Sequence, residues 1–273
     1  MFRDLLVHVD GSGAGRCRVQ FAVTLAARLE ARLTGFHVTP PVQVAPLHKP
    51  SRIPAVAAEL AARLAIDARS AATIFREETC QHFPDAVWIE EAGDVVKGIS
   101  DAARYADLVI LGQYESQGSL ETDPLPVAHS VVSRCGRPVL VLPAVVVLGS
   151  IARIAVAWDG GREAVRAVHD SLPLLRLAQS VQIVTVVEPA AEDATVEARH
   201  LSAHLANHGI GAVELLQVRS AEENESLCRQ IEQGHYDLLV MGGYPHPVWW
   251  EFIFGGATQS ILLSSKIPIF VSH

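Results

Sequence analysis

Residues 107–114 read DLVILGQY and residues 237–244 read DLLVMGGY, so the chain repeats itself. The echo extends to LLVHVDGS (5–12) against IAVAWDGG (154–161), and to RPVLVLP (137–143) against KIPIFVSH (266–273). Self-similarity in a fixed order constrains a fold more than any single segment, because one supersecondary plan must satisfy both copies. Across 273 residues it predicts two copies of one small α/β unit. The first is expected over 1–147 and the second over 148–273, with the junction near Leu148–Ser150.

The first copy opens on an apolar run ending at Asp10-Gly11-Ser12. A helical stretch follows, with Val19, Val23, Ala26, Ala27 and Leu33 at helical spacing. LTGFHV (33–38) reads as a second strand, and residues 40–54, with five prolines, as a loop. Residues 55–80 are alanine-rich and helical. AVWIEEA (86–92) is a strand, and Asp94 is placed to cap a helix running to about Tyr105. DLVILG and PVLVLP complete the unit as buried strands.

The second copy gives strands at 152–158, 180–187, 212–218, 237–241 and 267–271, alternating with helices at 162–179, 190–208, 222–235 and 255–265. Asp10 and Asp159 stand 149 positions apart, whereas Gly112 and Gly242, like Pro138 and Pro268, stand 130 apart. The first copy is therefore 19 residues longer between its first and fourth strands, mostly in the proline-rich loop.

Apolar strands alternating with helices predict parallel sheets covered on both faces. Such sheets take ligands beyond the C-terminal strand ends, where the strand order reverses. Asp10, Asp159, Gly112 and Gly242 all fall at such ends. A 49% hydrophobic content supplies a core for each copy, and 19% charged residues argues against a disordered chain. A net charge of −8 leaves no basic footprint for nucleic acid. No apolar run reaches the roughly 18 residues of a membrane helix, since Pro143 breaks PVLVLPAVVVLG. MFRDLLVHVDGS runs directly into a strand and turn, so no secretory leader is expected. Cys17, Cys80, Cys135 and Cys228 are dispersed without a CxxC pair, which reads as idle thiols in a reducing, cytoplasmic setting.

In order and twice over, these segments resemble the tandem form of the universal stress protein family. The resemblance is carried by Asp-Gly-Ser and Asp-Gly-Gly after the first strand and by His37-Val38 ending the second. It extends to Asp-Leu-Val before the fourth loop and to the ending ILLSSKIPIFV. It implies a five-stranded, doubly wound, Rossmann-like parallel sheet in each copy, the two packed through their last strands as a pseudo-dimer. Nucleotide-binding members carry Gly-x-x-Gly, nine residues, then Gly-Ser/Thr, a cradle whose glycines and helix-start N–H groups face phosphate. Their aspartate after the first strand meets the nucleoside end.

Transferred to the second copy, the resemblance implies a candidate site for ATP, with its Mg²⁺, at Asp159, Val187, Gly242, Gly243, Gly255, Gly256, Ala257 and Thr258. Pro245 stands at the family's second glycine and Gly256 at its Ser/Thr. Asp10, Val38 and Gly112 are the degenerate counterparts in the first copy. There Glu115 replaces a glycine, Leu125-Pro126 replace Gly-Ser/Thr, and Glu121 and Asp123 add repulsion, so that copy is expected not to bind ATP.

Three other features were weighed. His200, His204 and His208 form one helical stripe, read as a solvated face rather than a zinc site. Trp249 and Trp250 lie in the loop after Gly242 and suit core cover, a pocket lining or a protein anchor. G-x-S-x-G, Walker and H-E-x-x-H motifs are absent. The resulting expectation is a non-catalytic stress-response binding or regulatory module. Its alternatives are a nucleotide-independent interaction protein using the Trp249–Trp250 loop, and a weak Mg²⁺-dependent ATPase. A homodimer through a sheet edge or helical face left free is compatible with either.

Overall fold

A computed structural model describes residues 1–43, 53–113, 127–146, 151–187, 195–220, 223–243, 261–262 and 265–273. The first half runs β1 (Asp4–His8), α1 (Gly13–Leu29), β2 (Arg32–Thr39), α2 (Ile53–Thr79), β3 (Val87–Ala92), α3 (Val95–Ala103), β4 (Leu108–Gly112), α4 (Val127–Cys135) and β5 (Val139–Leu142). The second runs β6 (Arg153–Ala157), α5 (Arg162–Leu175), β7 (Ser180–Val187), α6 (Thr195–Asn207), β8 (Val213–Arg219), α7 (Glu223–Gln233), β9 (Leu238–Gly242) and β10 (Ile269–Ser272).

All ten strands form one sheet in the order β3-β2-β1-β4-β5-β10-β9-β6-β7-β8. Read inward from either outer edge, each half has the same strand order, and every pairing within a half is parallel. The halves meet where β10 runs antiparallel to β5, with Phe270 opposite Leu140. The architecture is therefore two copies of a doubly wound five-stranded unit joined through their last strands as a pseudo-dimer, as the family resemblance implies.

Alternating side chains sort the strands onto two cores. Leu5, Val7, Leu108, Ile110, Leu140, Ile154, Val240 and Phe270 face the layer formed by α1, α2, α5 and α6. Leu6, Val109, Leu111, Val141, Leu239 and Val271 face α3, α4, Ile231 of α7 and the helical pair Ile261–Leu262. Each core is continuous across both halves, so the seam is packed on both sides. Gln113 adds two polar ties across it, donating from Nε2 to the carbonyls of Leu262 at 2.8 Å and Ser265 at 3.1 Å.

The echoed aspartates close each unit at the opposite end from the candidate site. Asp107 Oδ2 accepts the N–H groups of Arg3 and Asp4, at 2.6 and 3.1 Å. Asp237 Oδ2 accepts those of Ala152 and Arg153, both at 2.9 Å. One carboxylate thus satisfies two strand-entry donors in each half, with charge-assisted bonds.

Local caps explain several boundaries. Ser12 Oγ accepts the Gly15 N–H at 2.9 Å and starts α1. Asp94 caps α3 as expected, taking the Lys97 N–H at 2.7 Å. Glu30, left-handed at φ 52°, ends α1, so Leu33 belongs to β2 rather than to the helical stripe, and Ala27 on that helix is exposed. The expected loop over 40–54 also gives way early. α2 begins at Ile53, with Pro54 in its first turn, where its missing N–H costs nothing. The helix expected to reach 179 stops at Leu175. Of the helix expected over 255–265, only Ile261–Leu262 are described as helical. Among the described residues no helix is long and apolar enough to cross a membrane.

Candidate functional site

β1 pairs with both β2 and β4, and β6 with both β7 and β9, so the strand order reverses beside β1 and β6. The C-terminal ends of these strands are where a sheet of this kind opens a crevice. Asp10 and Asp159 follow β1 and β6, and Gly112 and Gly242 end β4 and β9. The folded chain therefore puts Asp10 with Gly112, and Asp159 with Gly242, at equivalent places in the two halves.

The crevices differ in content. In the first half Arg18, on the buried stripe of α1 and only 6% exposed, extends its guanidinium across the strand ends. Nη2 donates to Asp10 Oδ2 at 2.9 Å, and Nη1 donates to the His8 carbonyl at 2.9 Å. A Cβ built on Gly112 would lie 2.6 Å from Arg18 Nη2. Glycine at that position is what lets the guanidinium cross β4. The other oxygen of Asp10 is used as well, taking the Ser12 N–H at 2.9 Å and the Ser12 hydroxyl. Both carboxylate oxygens are engaged by the chain itself.

The electrostatics follow from this packing. Burial pushes the Asp10 carboxyl upward, but the Arg18 charge and the Ser12 hydrogen bonds outweigh it and bring it down to about 2. His8 keeps some solvent exposure, yet the protein packed around it, and secondarily Arg18, push its imidazole down to about 3. His8 is therefore neutral at pH 7. Its Nδ1 stands 3.4 Å from Arg18 Nη1, where an unprotonated nitrogen suits a donor.

In the second half the residue 149 positions after Arg18 is Ala167, 1% exposed and without a group to send across the crevice. Asp159 is exposed. Its Oδ1 accepts the Gly161 N–H at 2.8 Å, and among the described residues its Oδ2 accepts nothing. Gly160 holds φ 73°, a left-handed turn that glycine takes without cost. Gly161 caps α5 with no side-chain hydrogen bond, unlike Ser12 on α1. The N-terminal turn of α5 presses on β9: a Cβ on Gly242 would lie 2.7 Å from the Ala164 nitrogen. Trp158 takes the place of Val9, and its buried Nε1 makes no hydrogen bond among the described residues.

The remaining candidates are distributed as follows. Val187 ends β7 partly exposed, its carbonyl taking the Ser220 N–H at 2.9 Å. Val38 is 3% exposed and packs beside Gly98. Gly243 is buried at the seam, its N–H given to Ser272 at 2.9 Å and its carbonyl 3.0 Å from His273 Nδ1. Gly255, Gly256, Ala257 and Thr258 lie outside the described residues, as do Pro245, the Trp249–Trp250 pair and the acidic positions Glu115, Glu121 and Asp123. On α6, His200 and His204 are exposed and the His204 and His208 rings meet edge-on at 4.6 Å. Among the described residues no three His, Cys, Asp or Glu side chains form a metal-holding group.

Sequence reasoning missed Arg18. Its signal was present: the buried face of α1 runs Gly15, Arg18, Val19, Ala22, Leu25, Ala26, Leu29, and an arginine on that stripe needs a buried partner. The aspartate of the DLVILG echo was noticed as a repeat but not as a clasp for the strand entry.

Comparison with known proteins adds the following. A model of the universal stress protein family matches residues 1–143. Among solved structures, a universal stress protein from Archaeoglobus fulgidus DSM 4304 is similar over 98% of this chain and 96% of its own, with TM-score 0.69 and 17% identity. A putative universal stress protein from Pseudomonas aeruginosa UCBPP-PA14 is similar over 99% of this chain and 93% of its own, with TM-score 0.59 and 14% identity. At such identities the likeness concerns the fold. No curated protein matches the chain in sequence.

Proposed function

The chain belongs to the universal stress protein family, and from that premise we propose that it is a non-catalytic binding or regulatory module of the cytoplasmic stress response. In this reading residues 148–273 form a second universal stress protein domain, and that domain takes an adenine nucleotide with Mg²⁺. The shared strand order of the two halves supports the second domain. The observation that carries the nucleotide reading is the exposed Asp159 carboxylate at the switch point of the second half, whose Oδ2 accepts nothing among the described residues, set against Asp10 in the first, held on both oxygens by Arg18 and Ser12. Asp159 would accept from hydroxyls at the nucleoside end. The α5 N-terminal turn and Gly242 of β9 leave backbone close to the crevice, where a phosphate-bearing ligand is favoured by helix-start N–H groups.

Thermal denaturation with and without Mg²⁺·ATP, together with mass spectrometry of small molecules carried through purification, tests this reading. A ligand at about 100 times its dissociation constant stabilises by roughly 2.7 kcal/mol, several degrees for a protein of this size. The expected result is such a shift in the wild type, lost in Asp159→Ala. An unchanged melting temperature at millimolar ATP sinks the nucleotide reading. Steady Mg²⁺-dependent release of phosphate, lost in Asp159→Ala, would replace the non-catalytic reading with that of a weak ATPase.

A further inference from the structure

Among the described residues, the second half sends no cation across its strand ends. Ala167 ends at a methyl group where the first half sends a guanidinium across its strand ends. We propose that Arg18 is a ligand surrogate built into the chain: its guanidinium occupies the first crevice and decides that only the second crevice accepts a ligand from solution. The clause about the second crevice rests on the function proposed above; the occupation of the first does not.

Four observations converge on Arg18. Its side chain is 6% exposed, too buried for a surface ion pair. Its two terminal nitrogens are committed to the Asp10 carboxylate, a candidate ligand position, and to the main-chain carbonyl of His8 that ends β1. It fills the space beside Gly112, the glycine of the first echoed segment, to within 2.6 Å of where a side chain would begin. Both oxygens of Asp10 are engaged within the chain, one by Arg18 and the other by the Ser12 N–H and hydroxyl. A planar cation with several donors matches a carboxylate and a carbonyl better than a lysine would. Removing Arg18 leaves a cavity with a carboxylate on one wall and a carbonyl on another, complementary to a small planar cation.

The probe is guanidinium chloride at up to about 20 mM, far below denaturing concentrations, with sodium chloride and urea at matched concentrations as controls. Arg18→Ala is expected to melt below the wild type and to recover about 2–5 °C with guanidinium but not with the controls. The wild type gains nothing. Arg18→Met, which refills the volume without donors, does not respond, and Arg18→Ala combined with Asp10→Asn loses the response. Equal guanidinium responses in wild type and Arg18→Ala, or a response surviving Asp10→Asn, overturn the proposal. If Arg18→Ala does not fold, Gly112→Ala reads the same contact from the other side. It lowers the melting temperature in the wild-type background and costs less beside Arg18→Met. A Gly112→Ala protein melting with the wild type overturns the proposal. None of these readouts involves nucleotide. Failure of the guanidinium response therefore removes the surrogate alone, and failure of ATP binding in the wild type removes only the proposed function.

Discussion

Asp10 and Asp159 follow equivalent strands in two halves with the same strand order, yet they are in opposite states. Asp10 holds Arg18 on one oxygen and Ser12 on the other. Asp159 makes one short-range bond to Gly161 and faces solvent. The difference arises in Arg18 against Ala167 on the neighbouring helix and in Ser12 against Gly161 at its cap, and not in the strands. A duplicated unit can thus keep its fold in both copies while one crevice is filled from within. The residue that fills it lies outside the loops where the copies most visibly diverge.

Substitution is the sharpest way to break this comparison. Arg18→Ala is expected to cost about 3 kcal/mol in chemical denaturation, because it opens a cavity and leaves Asp10 without its cation. Ala167 has no corresponding role, so Ala167→Gly should cost only the roughly 1 kcal/mol of helix propensity and lost packing. Asp10→Ala should cost about 2 kcal/mol and Asp159→Ala under about 0.5 kcal/mol, since only Asp10 is tied into a partly buried network. Equal losses at the two aspartates would break the comparison.

The glycines make a smaller contrast of the same kind. Gly242→Ala drives a Cβ toward the backbone of α5 at Ala164, which cannot step aside, and should cost about 1–3 kcal/mol. Gly112→Ala meets a side-chain terminus instead, and its cost should fall when Arg18 is shortened. The clasps are where the halves should not differ. Asp107→Ala and Asp237→Ala each orphan two strand-entry N–H groups and should cost about 1–3 kcal/mol apiece, equal within error.

Acid titration gives the most specific signal. The His8 imidazole is depressed from 6.5 to about 3, so the unfolded chain takes up its proton first as pH falls. The stability His8 contributes is complete above pH 6.5 and is lost progressively toward pH 3. Asp10 is depressed from 3.8 to about 2, and its contribution is present above pH 3.8 and lost as pH falls through about 2. His8→Gln should flatten the wild-type stability curve between pH 6.5 and pH 4 and leave the limb below pH 4 in place. An unchanged slope in that upper window would mean that His8 is not held neutral by its surroundings.

Much of this was legible in the sequence, because duplication supplied two readings of each element. The strand endings at Asp10 and Asp159, the capping role of Asp94 and the pairing of last strands all follow from pattern and resemblance. Arg18 leaves a signal on the buried stripe of α1, but on a helix that also carries Arg16 and Arg28 an arginine is easily assigned to the solvated side. Only the third dimension brings it over β4 to Gly112. The boundary at Leu33 was misread because its apolar side chain continues the helical spacing, while Glu30 turns the backbone out of the helix three residues earlier. Pro245, Trp249–Trp250 and Gly255 to Thr258 lie outside the described residues, so the cradle itself rests on the sequence alone.

If Arg18 fills the first crevice and the second takes ligand, nucleotide binds at one site per chain. Equilibrium dialysis of the purified protein against labelled Mg²⁺·ATP, with stoichiometry counted per chain, tests this most directly. The account predicts one nucleotide per wild-type chain and none in Asp159→Ala. Two nucleotides per chain, or one that persists in Asp159→Ala, would contradict it.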